Sequence, residues 1–301
     1  MSAEFSRSFR VRWSETDAGE RVGLAAYLRY LIETAWDWGS AGGLSKAESE
    51  RLGIAWVVRE TELTIERPIA YNDEFDFRIW LYRWRRVRGM RCFDMRLRGS
   101  EQLIACGAQQ VATLDGETLR PVRLPAHLLD NFLGDNPRQI PLARFPKFSE
   151  PPANAFITSR EVEWRDLDSF QHVNNAAYAT FAENAALRAL TGLGWPPEQF
   201  RSAGLALVNR RFHIRYHLPA VWGDRLTVAV YPAAVDPVGG TWQIDVSRTA
   251  DGQTVVQCVL EWSVTKRETG APEPLPEGLV QALAMRSALS QNGPDPQLMD
   301  P

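Results

Sequence analysis

The sequence is poor in cysteine. Among 301 residues only three are cysteine, Cys92, Cys106 and Cys258, an odd number at wide spacing. They form neither a CxxC pair nor a cluster with histidine at zinc-ligand spacing, which argues against a disulfide scaffold and a structural metal site. So few cysteines are typical of a protein kept in a reducing compartment.

The sequence also lacks long apolar runs and an excess of one charge. No stretch of about 18 apolar residues occurs, and the first residues contain no apolar signal core, so we expect neither a membrane span nor a secretory leader. Lys and Arg total 34 against 37 Asp and Glu. This balance disfavours nucleic acid and anionic membranes as partners. We therefore predict a soluble, cytoplasmic protein.

What the sequence does contain is ordinary globular composition with many tryptophans. Apolar residues make up 45% and charged residues 24%. The 11 tryptophans indicate large apolar cavities or interfaces that need wide, rigid side chains. A chain of this length predicts about two domains.

An internal repeat divides the chain into two similar copies. Identical residues coincide when the chain is aligned with itself at a single offset of 151 residues (13 to 164, for example). The matching pairs are Trp13 with Trp164, Asp17 with Asp168, Val22 with Val173, Tyr27 with Tyr178, Pro68 with Pro219, Asp73 with Asp224 and Pro125 with Pro276. One offset kept over this distance indicates a duplicated domain.

The repeat and the prolines predict the domain boundaries. Prolines are dense between the copies, at 137, 141, 146, 151 and 152, which prevents regular helix and favours an extended spacer. We expect an N-terminal domain over 1–126, a linker over 127–157, a C-terminal domain over 158–278, and a short helix with a frayed tail over 279–301.

Each copy shows the same order of elements. A short strand leads into a loop with the shared aspartate, and a long helix and four strand-like runs follow. The helix of the first copy has apolar residues at helical spacing: Leu24, Tyr27, Leu28, Leu31, Ile32 and Ala35. The helix of the second copy uses small residues, so a sheet could wrap closely around it. This order predicts an α+β fold.

The stretch from Asp168 to Tyr178 resembles the signature of hotdog-fold thioesterases, D-x-x-x-H-V-N-N-x-x-Y. The acidic loop of the first copy, from Glu15 to Tyr27, is similar to that of 4-hydroxybenzoyl-CoA thioesterase relatives. Two such copies with a proline-rich linker resemble acyl-acyl-carrier-protein thioesterases. The resemblance implies a tandem (double) hotdog, in which each antiparallel sheet wraps around a long central helix.

The resemblance also implies an activity. We expect hydrolysis of fatty acyl-acyl carrier protein to free fatty acid and carrier protein, without metal or cofactor. An acyl-CoA thioesterase and a non-catalytic acyl-binding hotdog protein are the alternatives. A duplicated chain can complete a two-unit hotdog alone, which leaves monomer and homodimer both open.

The candidate site lies at the start of the second long helix. We expect Asp168 to act as a general base on water or as a nucleophile, His172 to orient or protonate, and Asn174 to position carbonyl or water. Family similarity places an oxyanion donor near Asn175, and Tyr178 is expected to pack beneath the bound substrate. The simpler alternative is that Asp168 only caps the helix.

The sequence departs from the carrier-protein thioesterases at two positions. That family has Asn two residues after the key Asp, where this chain has Phe170. It also has an acid or Cys on a strand of the second copy, and counting along the strand matches that position to about His217. We expect His217 to assist catalysis, with a solvent-facing strand histidine as the alternative.

The first copy keeps the aspartate but loses its neighbours. Arg21, Gly23 and Leu24 stand where the second copy has His172, Asn174 and Asn175. The sequence therefore predicts one working site per chain, in the second copy. A second site built on Asp17 and Glu66 is the alternative.

Arginines crowd one segment of the first copy. They are Arg83, Arg85, Arg86, Arg88, Arg91, Arg96 and Arg98, with only Asp94 to offset them. A charged strand face is the plain interpretation. The functional one is a docking patch, with Arg85 and Arg86 binding either an acidic acyl carrier protein or the phosphates of coenzyme A.

Overall fold

The computed structural model describes residues 4–135, 137–148 and 150–291. The chain forms two compact units. The first contains the residues up to Phe145 together with Phe212–Tyr216, and the second contains the others. Because the proline-rich segment up to Phe145 belongs to the first unit, that unit extends beyond the boundary expected at residue 126.

The first unit is an antiparallel sheet with one long helix. Its strands follow the order β1-β3-β4-β5-β2. The elements are β1 (Phe5–Arg10), a 3-10 turn (Trp13–Glu15), α1 (Leu24–Ala41), α2 (Lys46–Arg51), β2 (Ile54–Ile65), β3 (Glu74–Arg85), β4 (Arg88–Leu97), β5 (Leu103–Asp115) and α3 (Ala126–Leu129).

The second unit repeats this plan with strands in the order β7-β10-β9-β8-β6, although the end of β7, Phe212–Tyr216, is grouped with the first unit. Its elements are β6 (Phe156–Glu161), a 3-10 turn (Trp164–Asp166), α4 (Asn175–Gly192), α5 (Pro197–Ser202), β7 (Leu205–Tyr216), β8 (Arg225–Asp236), β9 (Gly239–Arg248), β10 (Thr254–Lys266) and α6 (Glu277–Gln291). Each begins 151 residues after its counterpart, as Phe5 and Phe156 illustrate. The sequence repeat is therefore also a repeat of structure.

The long helices fill their cores in different ways. Helix α1 buries large side chains, among them Leu24, Tyr27 and Leu31, and packs against β3. Helix α4 buries mostly alanines and packs against β8. In the second unit the sheet supplies volume instead, since the buried ring of Trp242 lines the same small cavity as Ala189 of α4. Close-packed interiors allow this exchange between helix and sheet.

The proline-rich segment is a strap packed on the first unit, not a loose spacer. The Trp80 indole N–H donates to the carbonyl of Arg138 (2.6 Å), and the Ala143 N–H donates to Glu62 Oε2 (2.6 Å). Phe145, where the strap ends, is buried. Proline lacks the N–H of a strand ladder, so the segment is held by side-chain contacts. Composition alone does not reveal such contacts.

Candidate active site

A tight loop joins the second 3-10 turn to α4. The Asp168 N–H donates to the carbonyl of His172 (3.0 Å), and the turn between them places Gln171 at φ +63°. The Val173 N–H donates to the carbonyl of Ala220 (2.9 Å), which ties the loop to the segment after β7. The backbone therefore holds Asp168 and His172 on the same small loop.

Asp166 anchors the base of this loop. Its buried carboxylate accepts from Arg160 at 2.8 and 2.9 Å and from the Glu163 N–H at 2.9 Å. The Arg160 guanidinium in turn lies 4.1 Å from the ring centre of Phe181 on α4. Asp166 is thus structural, and this distinguishes it from Asp168 two residues later.

The side chains of Asp168 and His172 face each other. Asp168 Oδ1 accepts the Phe170 N–H at 2.9 Å and lies 3.9 Å from His172 Nδ1. The side chains keep 25% and 40% exposure, so both can reach a molecule outside the loop. The separation exceeds a direct hydrogen bond, and catalytic contacts of this kind often tighten when substrate binds.

The cap of α4 is Asn174. Its Oδ1 accepts the Ala176 N–H at 2.9 Å, so the interpretation of Asp168 as the cap is wrong. Asn175 is the first residue of the helix. Tyr178, one turn later, is buried, and this burial raises the pKa of its phenol. Tyr178 therefore belongs to the packing beneath the loop.

Phe170 and His217 flank this arrangement differently. The Phe170 ring is 47% exposed and lies nearly parallel to the His172 ring, with centroids 6.0 Å apart. His217 is exposed just after β7, and its Nε2 lies 3.2 Å from Gln257 Oε1. The loop thus brings Phe170 to His172, whereas His217 contacts Gln257 of β10.

The first unit builds the same loop around Asp17. The Asp17 N–H donates to the carbonyl of Arg21 (2.8 Å), and Glu20 adopts φ +64°. The Asp17 carboxylate accepts two backbone N–H groups, from Gly19 (2.7 Å) and Arg21 (3.3 Å). Glu66 is exposed just after β2, the position that His217 holds after β7.

The arginine cluster separates into two groups. Arg91 bonds Gln109, Arg96 lies 3.3 Å from Glu101, and Arg98 lies 3.2 Å from Glu74. The expectation that only Asp94 offsets the cluster is therefore wrong, because Glu101 and Glu74 neutralise part of it. Four exposed arginines remain at the turn between β3 and β4, outside the ion pairs of the described residues: Arg83, Arg85, Arg86 and Arg88.

The charged turn is costly to form. Arg85 and Arg88 are directly opposite each other across the strands, where like charges are destabilising. Arg86 adopts φ +56°, a conformation that favours glycine or asparagine. The matching turn of the second unit, Asp236 to Gly239, carries no arginine. The charge is thus specific to the first unit.

A buried ionic cluster in the first unit was not predicted from the sequence. Glu60 accepts from Arg215 at 2.9 Å and lies 2.8 Å from Nε2 of the fully buried His213. Burial alone would raise the pKa of Glu60, but the hydrogen bonds from His213 and Arg215 lower it. Glu60 and His213 are 153 residues apart, so no local pattern connects them.

The described residues show neither a metal-binding cluster nor a membrane-spanning helix. No group of three His, Cys, Asp or Glu side chains within these ranges is arranged to hold a metal ion. None of the helices in the same ranges combines the length and apolarity that crossing a membrane requires.

A protein-family comparison matches both copies. The model of the thioesterase-like superfamily matches residues 11–132 and again residues 162–283. The two matches are separated by the same 151-residue offset as the structural repeat. Together they cover most of the chain.

Curated relatives include acyl-carrier-protein hydrolases. A chloroplastic acyl-[acyl-carrier-protein] hydrolase of Cuphea viscosissima is 22% identical over 282 residues, which is 86% of this chain and 62% of that protein. A chloroplastic dodecanoyl-[acyl-carrier-protein] hydrolase of Umbellularia californica is 22% identical over 192 residues, 59% of this chain and 49% of that protein. The chain thus spans about half to three fifths of the length of these relatives.

Solved structures show the same fold. A 12:0-ACP thioesterase from Umbellularia californica has a TM-score of 0.71 at 17% identity, covering 88% of this chain and 99% of that one. An acyl-ACP thioesterase from Bacteroides thetaiotaomicron has a TM-score of 0.70 at 16% identity, covering 87% and 98%. The likeness confirms the predicted tandem hotdog fold and, at such identities, concerns the fold alone.

Proposed function

The chain belongs to the thioesterase-like superfamily, and from this premise we propose that it hydrolyses fatty acyl-acyl carrier protein to free fatty acid and carrier protein. The observation that carries the proposal is the pairing of the half-buried Asp168 carboxylate with the His172 imidazole in front of a helix N-terminus. Such a site needs neither metal nor cofactor.

In the proposed reaction, water attacks the thioester carbonyl carbon while Asp168 takes its proton. The negative charge on the carbonyl oxygen develops at the start of α4, near Asn175, where the helix dipole favours an anion. The carbon–sulfur bond then breaks, and His172 orients the water or supplies the proton of the departing thiol. Asn174 fixes the start of α4 next to these reacting groups, because its side chain caps the helix.

The remaining second-unit residues have supporting roles in the proposal. Tyr178 supports the floor of the site from below, in keeping with its burial. His217 is proposed to assist catalysis. It lies three residues before Ala220, whose carbonyl accepts the Val173 N–H of the Asp168 loop. One working site per chain is proposed, because Arg21 of the first unit cannot replace the imidazole of His172.

Arg85 and Arg86 are proposed to dock the carrier protein. Four guanidinium groups along one turn spread over about 10 Å at strand spacing, wider than a single phosphate. An acidic protein surface can present several carboxylates over this distance. The names of the curated relatives favour the same carrier. A carrier-bound substrate suggests fatty acid biosynthesis, and the cytoplasm and a monomer or homodimer remain our sequence-based expectations.

The docking role is tested by reversing the charge of both arginines. Arg85→Glu with Arg86→Glu should raise KM for a carrier-bound substrate about tenfold or more and leave a short free thioester unaffected. Arg10→Glu, an exposed arginine of the same unit that lies beside Glu74 at the opposite end of β3, is the control. Equal loss on both substrates would reject docking.

The activity itself is tested by a hydrolysis screen. Acyl-carrier and acyl-CoA thioesters of increasing chain length are incubated with the protein and with Asp168→Asn. We expect free thiol and fatty acid from carrier-bound medium or long chains, and little product from the variant. A preference for coenzyme A thioesters would instead identify an acyl-CoA thioesterase.

A second candidate is a non-catalytic acyl-binding protein, favoured by one observation. Phe170 places an apolar ring beside His172, and this ring can neither hold a water nor orient an imidazole by hydrogen bonding. Binding of acyl thioesters with turnover no greater than that of Asp168→Asn would establish this candidate and overturn the hydrolase.

A further inference from the structure

The two units treat one carboxylate position in opposite ways. In the first unit Asp94 on β4 is fully buried, and its carboxylate accepts two hydrogen bonds from Arg78 at 2.7 and 2.8 Å. It also forms ion pairs with Arg96 and Arg138. In the second unit the same position on β9 is Asp245. The residues that match Arg78 and Arg96 are Ala229 and Ser247. The carboxylate is retained, whereas those two cations are not.

Asp245 sits in surroundings that disfavour its charge. It is half-buried, and burial raises the pKa of its carboxyl group, offset only in part by Gln257 and by the charge of His217. Tyr231 and Cys258 interact electrostatically with Asp245, and burial raises the pKa values of both. A carboxylate kept at such a place without an arginine beside it is expected to orient its hydrogen-bond partner.

That partner leads to His217. Gln257 faces Asp245 across β10 and β9, and its Nε2 donates to Asp245 Oδ2 at 2.8 Å. The other end of the same amide, Oε1, lies 3.2 Å from His217 Nε2. A polar chain of three side chains therefore connects the sheet interior with the exposed imidazole.

The chemistry of these groups sets the direction of the protons. An ionised carboxylate can only accept, so the Gln257 amide must turn its NH2 toward Asp245. Its oxygen is then left for His217, and an oxygen can only accept as well. The imidazole must therefore carry a proton on Nε2, and in its neutral form the acceptor lone pair is on Nδ1.

We propose that Asp245 and Gln257 are positioning residues that hold His217 as the Nε2–H tautomer, with Nδ1 as its proton acceptor. The use of this tautomer in catalysis rests on the proposed function. The tautomer itself does not, because it follows from contacts within the second unit.

The tautomer is measured by nitrogen NMR of the imidazoles in the full-length, 15N-labelled protein. The chain has only four histidines, and His217→Gln assigns the signal. We expect a single neutral tautomer with a hydrogen-bonded Nε2–H. Asp245→Asn lets the amide turn over, so this variant should show both tautomers, and Gln257→Leu should lose the hydrogen bond. Asp94→Asn, the matched change in the first unit, should leave the His217 signals unchanged.

A kinetic measurement tests the catalytic use. Asp245→Asn and Gln257→Leu should each lower kcat between about 10- and 100-fold with little change in KM, and neither should lower it further when His217 is already replaced by alanine. The same loss in the His217→Ala background would show a merely structural role.

The possible failures can be told apart. A wild-type His217 protonated on Nδ1, or a protonated Asp245, overturns the inference whether or not the protein hydrolyses thioesters. Absence of turnover together with the expected spectrum overturns the proposed function and leaves the tautomer assignment standing.

Discussion

The acidic loops of the two units have nearly the same backbone and different side chains. Both contain an aspartate whose N–H donates to the residue four positions on, and both place the residue before that acceptor near φ +64°. Both end on a valine whose N–H donates to the segment after the next strand, at Ile69 or Ala220. Beyond the aspartate, the second loop has the imidazole and amides that the first lacks.

The comparison shows that the aspartate has a folding role before it has any chemical one. Asp17 is held by two backbone N–H groups in a unit where arginine replaces the imidazole. The shared carboxylate therefore indicates a conserved loop shape within this chain. His172, which lies beside Asp168 in the second loop only, is the better indicator of catalysis.

The sharpest way to break this comparison is to neutralise each loop aspartate in turn. Asp168→Asn should lower kcat/KM for thioester hydrolysis by about 10²- to 10⁴-fold, the range for a general base, because asparagine keeps the Phe170 contact but cannot take a proton. Asp17→Asn should leave kcat/KM within about twofold of wild type, because the first loop has arginine in place of the imidazole and is not expected to act as a general base. Comparable losses in initial-rate assays would instead reveal a second site with Glu66.

The next largest contrast concerns stability at a matched pair of strand positions. Glu60→Ala would leave Arg215 and His213 without their carboxylate and should cost about 3–5 kcal/mol of unfolding free energy. The matching residue of the second unit is Arg211, which pairs with the more exposed Glu261. Arg211→Ala should cost at most about 1 kcal/mol. Urea unfolding measures both, and similar losses would contradict the assigned difference in burial.

The two sheet carboxylates should respond to pH in opposite directions. Hydrogen bonds from Arg78 and Arg138 lower the pKa of Asp94 despite its burial, whereas burial raises that of Asp245. Asp94 thus stabilises the fold above its unfolded pKa of about 3.9, and this is lost as pH falls through the lower folded value. The charge of Asp245 costs stability that appears as pH rises above about 4.

Paired asparagine variants measure this difference. At neutral pH Asp94→Asn should lose about 1.5–3 kcal/mol, and the deficit should shrink below about pH 4. Asp245→Asn should gain relative to wild type between about pH 4 and 7. Unfolding free energies across pH 3 to 7 provide the check, and two slopes of the same sign would contradict the assignment.

The smallest expected effect concerns the helix caps. Asn174→Ala removes the side chain that accepts the Ala176 N–H and should cost about 1 kcal/mol. Gly23 caps α1 without a side chain, so Gly23→Asn should gain only a few tenths of a kcal/mol. Thermal unfolding midpoints would show the two shifts, and a loss on Gly23→Asn would mean that the first loop has no room for a cap.

Much of the fold could be predicted from the sequence because it is written in local patterns. The single 151-residue offset indicates the duplication, and the helical spacing of apolar residues from Leu24 onward predicts α1. The pairing of Asp168 with His172 could also be anticipated, because the two lie four positions apart in one tight loop. Their catalytic roles stay predictions, as do those of Asn174, Asn175 and His217.

Other features needed contacts between distant strands. The sequence offered Asp168 as an alternative cap of α4. Six loop residues follow Asp168 before the helix begins, however, and the last of them, Asn174, is the cap. Arg96 and Arg98 are neutralised by Glu101 and Glu74, whereas Arg91 bonds the neutral amide of Gln109 on the paired strand. The Asp245–Gln257 contact could have been suspected from the repeat, since Asp245 matches Asp94 at the common offset.

The sequence by itself determined that this chain is a duplicated α+β protein whose second copy carries an acid, an imidazole and amides before a long helix, because repeats and periodicities depend on neighbours along the chain. Only the tertiary structure decided which carboxylates are neutralised. Glu60 meets His213 and Arg215 across 153 and 155 residues of chain, whereas Asp94 meets Arg78 and Asp245 meets Gln257 on the strand paired with its own. Burial and hydrogen bonding, which set the pKa of each group, exist only once those strands are paired.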